Sequence, residues 1–156
     1  MTFSIEDLQL SVIEGYATWW EMDLPSKAVR FGEAKPQMIG REPQEFKTYE
    51  DFTALLHPDD HEKAMQAMRE HLQGEKELYE TTYRIKHKDG HYLTFYDCGH
   101  ITKKTGDDIT ITGFVMSISE EVDIKEQMQT FKESLIEGKP SIIQIITQMK
   151  ETRRNT

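Results

Sequence analysis

Apolar and polar positions along this chain change period several times, and each change marks an element. From Thr18 to Leu24 the residues alternate. Trp20, Met22 and Leu24 fall on one side and Trp19, Glu21 and Asp23 on the other, the two-residue period of a half-buried strand. Pro25-Ser26-Lys27 turns the chain, and Ala28 to Phe31 returns as a second strand. Between Gly32 and Lys47, the punctuation by Pro36, Gly40 and Pro43 allows only short helical pieces, around Gln37-Met38-Ile39 and Gln44-Glu45-Phe46. Tyr49 to Leu56 predicts another short helix, stopping before His57-Pro58 because the residue before a proline avoids the α region. The period then lengthens. Ala64, Met65, Met68 and Leu72 form one apolar stripe on a helix from Asp60 to Leu72, with Asp59 as the expected N-cap, Glu62 behind it and Gly74 as the stop. Alternation resumes in Leu78–His87, and His91–Thr102 and Ile109–Ile118 follow as two further strands. These strands are joined at Lys88-Asp89-Gly90 and Lys104-Thr105-Gly106-Asp107, the first an Asp-Gly hairpin signal.

Two flanks complete the pattern. Ser4-Ile5-Glu6-Asp7 opens a short amphipathic helix that Gly15 stops, so residues 1–15 are expected as an N-terminal flanking helix and 16–118 as the domain proper. Residues 119–137 read as a polar helix whose Ile124, Met128, Phe131 and Leu135 make a short coiled-coil seam, a signalling helix or linker. Gly138-Lys139-Pro140 breaks it. Residues 138–156, carrying Ile142, Ile145, Ile146 and Met149, read as the start of a further helix or effector segment. Strands, small helices, one larger helix and three antiparallel strands give an α+β class built on one sheet.

Composition narrows the partners. Lys+Arg 19 against Asp+Glu 28 leaves a formal charge of -9. Nucleic acid and anionic membrane both require clustered positive charge, so neither is expected. The lone Cys98 cannot form an internal disulfide and fits a reducing cytoplasm. No apolar run reaches the roughly 18 residues of a membrane span.

Several segments, taken in order, carry a resemblance. Trp20-Glu21-Met22-Asp23-Leu24, Met38-Ile39-Gly40 followed by Pro43-Glu45-Phe46, His57-Pro58-Asp59-Asp60, Tyr83-Arg84-Ile85 followed by Lys88-Asp89-Gly90, and Gly113 followed by Ser117-Ile118-Ser119 are similar to the successive motifs of the PAS sensory domains, in the branch with an HPDD motif. The resemblance runs from about Gly15 to Glu120. It implies a five-stranded antiparallel sheet in the order 2-1-5-4-3 with helices over one face. Between sheet and helices it implies a site that in such domains holds flavin, haem, a small metabolite or nothing. Two positions depart from the pattern: Ser117 stands where the family closes with Asp, and Thr82 where it has Glu ahead of the hairpin arginine. Both changes bear on the polar contacts near the exit to the signalling helix.

The residues offer little catalytic chemistry. His57 and His61 are spaced like metal ligands, but Pro58 intervenes, and capping of the helix start accounts for His57. His61 and His71 lie on the helix from which some PAS domains ligate haem, and Cys98 lies outside any segment like the flavin-photoadduct motif. No cofactor is therefore identified, and neither haem nor flavin is favoured. The pocket-lining candidates are Trp20, Met22, Phe31, Met38, Phe46, Leu56, Met65, Met68, Tyr83, Phe95 and Met116, with Tyr83, Arg84, Thr94 and Tyr96 as polar candidates. A filled core and a core with a small cavity both fit this set. Trp19 is expected on the sheet face opposite Trp20. The expected function is a cytoplasmic, homodimeric sensory or signal-transfer domain without catalysis. It would pass a signal through its C-terminal helix to a chemoreceptor, histidine kinase or cyclic-dinucleotide enzyme. The alternative is a ligand-free PAS domain that acts only in protein interaction and dimerisation.

Overall fold

The computed structural model describes residues 17–118. The expected helices at 1–15, 119–137 and 138–156 lie outside the described residues. Five strands, β1 (Ala17–Asp23), β2 (Val29–Phe31), β3 (Tyr79–Lys86), β4 (Tyr92–Thr105) and β5 (Asp108–Ser117), form one sheet in the order β2-β1-β5-β4-β3. Every neighbouring pair is antiparallel. The connection from β2 to β3 carries α1 (Ala34–Met38), a 3-10 turn at Pro43–Glu45, α2 (Tyr49–Thr53) and α3 (Pro58–Leu72). The strand order is the expected one.

The central pairing, β1 with β5, runs from Ala17↔Met116 to Asp23↔Thr110. Its register places Trp20 against Gly113 and Trp19 against Phe114, so alternation sends the two tryptophans to opposite faces. Trp20, Met22, Tyr79, Tyr83, Ile85, Phe95, Ile111 and Val115 form the inner core with Ile39, Phe46, Phe52, Leu56 and Ala64 from the helical connection. The opposite face carries Ala17, Tyr96, Cys98 and Phe114, all buried, and the half-buried Trp19. Gly99 and Gly113 pair across β4 and β5 beneath Trp20. A Cβ at Gly113 would stand 2.6 Å from the Trp20 ring and 2.2 Å from the Cys98 carbonyl oxygen, so only glycine lets the indole lie flat on the sheet.

The start of α3 corrects the expected cap. Pro58 is the first helical residue, where its missing N–H is no loss, and His57 is the N-cap. Its Nδ1 accepts the Asp59 N–H at 3.1 Å. Asp59 sits exposed in the first turn, and Glu62 pairs with Arg69 instead of closing a capping box. Asp60 turns inward. Its Oδ2 accepts from the Arg84 backbone N–H and Nε, both at 2.8 Å, and its Oδ1 accepts from Nη2 at 3.0 Å. The Arg84 guanidinium holds the Asp60 carboxyl well below the usual carboxylate range. Two backbone bonds, His57 N–H to Arg84 O and Lys86 N–H to Leu55 O, fasten the same segment to the β3 edge. The HPDD motif thus clamps the helix to the sheet.

Candidate ligand cavity

Helices α1, α2 and α3 do not close completely on the inner face of the sheet. They leave a cavity of about 210 Å³. Of the expected candidates, Trp20, Met22, Leu56, Met65, Met68 and Tyr83 line it. Phe31, Met38, Phe46 and Phe95 do not. Phe46 stacks on Phe52 at 3.9 Å, and Phe31 meets both rings edge-on, a filled aromatic corner beside the cavity. Phe95 lies fully buried with its ring centroid 6.2 Å from that of Tyr83, and Met38 packs half-buried against the core. Met116 belongs to the opposite face, because alternation along β5 turns it away from its inward neighbour Val115. Among the polar candidates only Tyr83 reaches the cavity: Tyr96 bonds Glu80 on the outer face at 2.6 Å, Arg84 is held by Asp60, and Thr94 is exposed.

The polar content of the cavity comes mainly from residues not singled out in the sequence. Asp97, inward on β4 and 5% exposed, accepts three hydrogen bonds: from Trp20 Nε1 at 2.6 Å, Tyr83 OH at 2.9 Å and Tyr79 OH at 3.4 Å. Burial raises the Asp97 carboxyl above its usual value, while the Lys35 charge and the three donors oppose that rise. Burial also pushes both tyrosine hydroxyls up, so they remain donors. Lys35 enters from α1, where Ala34, Lys35 and Pro36 all face inward. Its ammonium lies over the Phe52 ring at 4.0 Å and the Trp20 ring at 5.8 Å. Burial lowers its pKa, and the Asp97 charge opposes the shift. Asp97 was within reach of sequence reasoning, since counting by twos from Phe95 places it inward. Lys35 carried no such signal, because it lies in a short segment without a period.

The histidines are engaged elsewhere. On His71, Nδ1 lies 3.0 Å from the Lys76 carbonyl and Nε2 accepts the Ile101 N–H at 3.0 Å, which fixes the tautomer with its proton on Nδ1. Neither nitrogen is open to a haem iron, and His61 points to solvent. His87, Asp89 and His91 cluster on the β3–β4 hairpin. His87 Nδ1 accepts the Asp89 N–H, and Asp89 accepts from the His91 N–H and pairs with its ring, so the cluster closes the turn.

A family model described as the PAS fold matches residues 31–115, more than half the chain. The chain belongs to the PAS-fold family. As a PAS domain it resembles the N-terminal domain of a diguanylate cyclase with PAS/PAC sensor from Marinobacter aquaeolei. The TM-score is 0.60 at 26% identity, over 67% of this chain and 97% of that one. A sensory box histidine kinase/response regulator from Burkholderia thailandensis shares the fold at 20% identity and a TM-score of 0.59, over 83% and 98% of the two chains. Cycle PAS-B from Drosophila melanogaster, solved with bound ethylene glycol, shares it at 17% identity and 0.55, over 65% and 99%. No curated protein matches the chain. The PAS domain is a sensory module, and no helix among its described residues is long and apolar enough to cross a membrane.

Proposed function

We propose that this PAS domain senses a small molecule held between the sheet and its helices. The state of the cavity passes along β5 to the segment at 119–137 and on to an effector. One observation carries the reading: the space beneath α3 is a cavity furnished with a buried lysine, carboxylate, indole and two phenols, where a purely structural core would be filled with apolar side chains. Trp20 on β1 and Asp97 on β4 are joined across β5, so a ligand touching either one acts on the strand that leads to the C-terminal segment. The relative from Marinobacter aquaeolei, a sensor domain of a diguanylate cyclase, supports a cyclic-dinucleotide enzyme as effector. A histidine kinase or chemoreceptor fits the same arrangement. The seam Ile124, Met128, Phe131 and Leu135 would hold two copies side by side in the cytoplasm. The domain itself is assigned no reaction.

The test is a search for the occupant. Protein purified under native conditions is denatured, and the supernatant is analysed by mass spectrometry beside an Ala64→Leu variant. Ala64 is buried in the wall of the cavity, so a leucine there fills the space. A small molecule released by the wild type and not by the variant supports the reading. Equal release from both, or no binding of any small molecule by wild-type protein in a thermal-shift screen, favours the ligand-free interaction module.

A further inference from the structure

We propose that the occupant is a small monocarboxylate with an apolar, preferably aromatic, body, and that the Lys35 ammonium receives its carboxylate. This rests on the sensory reading above and names its ligand class. Lys35 is only 7% exposed and lines the cavity. Among the described residues its ammonium meets the faces of Phe52 and Trp20 and no hydrogen-bond acceptor. An ammonium that borders the cavity with three N–H donors and no protein acceptor gains its partner when an anion enters.

Asp97 does not supply the missing partner. It forms no direct ion pair with Lys35, and its oxygens already accept from Trp20, Tyr79 and Tyr83. The carboxylate is therefore satisfied and the cation is not. The other charges around the cavity are already paired. Lys27, Lys35 and Arg69 line it against Asp97 alone, and the glutamates that pair with Lys27 and Arg69 stand outside the lining. Lys27 and Arg69 are exposed at its margin, each neutralised by its glutamate, so Lys35 is the lining cation left for an anion.

Size and walls define the rest of the molecule. A dry apolar cavity of about 150 Å³ holds benzene. The 210 Å³ here accommodates a ring and a carboxylate group. Met22, Leu56, Met65, Met68 and Leu72 supply the apolar walls. A single buried cation matches one carboxylate, which disfavours di- and tricarboxylates. The ammonium bonds an amide carbonyl as an ion to a dipole, whereas a carboxylate adds the attraction of an opposite charge in a site shielded from water, and this distinguishes it from an amide of the same shape.

The experiment compares four probes of one shape on the full chain by calorimetry: phenylacetate, phenylacetamide, phenethylamine and ethylbenzene. Phenylacetate is expected to bind at least tenfold more tightly than phenylacetamide, and phenethylamine not to bind. In Lys35→Met the preference for phenylacetate over phenylacetamide should fall to within about twofold while ethylbenzene still binds. Circular dichroism confirms that the variant is folded, and the wild-type comparison stands without it. If ethylbenzene or phenylacetamide binds as well as phenylacetate, the carboxylate assignment is overturned and the sensory cavity survives. Persistence of the phenylacetate preference in Lys35→Met removes Lys35 as the receiving group. Failure of all four probes to bind wild-type protein overturns the carboxylate assignment, and the mass-spectrometric search then decides the cavity reading separately.

Discussion

Asp60 and Asp97 show how far position governs the behaviour of one side-chain type. Asp60 is held low by Arg84, so its contribution to stability is present above the ordinary carboxylate pKa and lost as pH falls through the folded-state value. Asp60→Ala removes three hydrogen bonds to a charged group and is expected to cost about 2 kcal/mol at pH 7 by urea denaturation. The difference from wild type should shrink progressively once the pH drops below about 3.9, the unfolded value. A pH-independent difference would mean that the carboxylate charge is not what holds Arg84. At the helix start, His57→Ala should cost about 1 kcal/mol as the loss of a cap, and Asp59→Ala less. The four letters of the motif were legible, but their division of labour was not. Pro58 moved the cap two residues earlier than a carboxylate-capping rule expects, and the partner of Asp60 lies 24 residues away. Asp97 was legible in principle from alternation. Lys35 was not, because a five-residue helix has no periodic face to betray an inward lysine.

Elements were read more securely than residues. The first and third strands followed from a two-residue period and the others from the turns that precede them, and all survive in the structure with small shifts at the ends. The close approach of Trp20 to the sheet was not readable, since nothing local says which ring covers Gly99 and Gly113. Gly113→Ala should destabilise the domain by about 1–3 kcal/mol through overpacking, measured by thermal or urea unfolding. It should also shift the indole signal of Trp20. A neutral outcome would show that the β4–β5 pair can spread to admit a methyl group. At the far end of α3, His71 bonds the Ile101 N–H where the β4–β5 register slips between Ile101 and Lys103. His71→Leu leaves that amide without its acceptor. It should cost about 1–3 kcal/mol and speed hydrogen exchange at Ile101 more than at Ile111, its cross-strand partner. Equal exchange at both positions would locate the helix–sheet coupling elsewhere.

At the scale of the molecule, strand order came from the resemblance and the β1–β5 pairing realises it, bringing Ala17 beside Met116. The two ends of the described domain therefore lie together, at the same end of two neighbouring inner strands. For the proposed dimer, Phe131→Asp should shift the full chain from dimer to monomer by light scattering while the circular dichroism of the sheet is retained. An unchanged dimer mass would reject the seam as the interface. The central claim is that a small molecule acts on this domain from between sheet and helices, and the indole of Trp20 is its most direct reporter. The chain has two tryptophans, one on each face, so a nitrogen–proton correlation spectrum of labelled protein contains one indole signal for each face. Titrating in the tightest of the four probes is expected to move the Trp20 signal saturably and by more than the Trp19 signal, together with backbone amides of β4 and β5. A probe that binds by calorimetry yet leaves the Trp20 indole signal unmoved, or moves it equally in Ala64→Leu protein, would contradict the account.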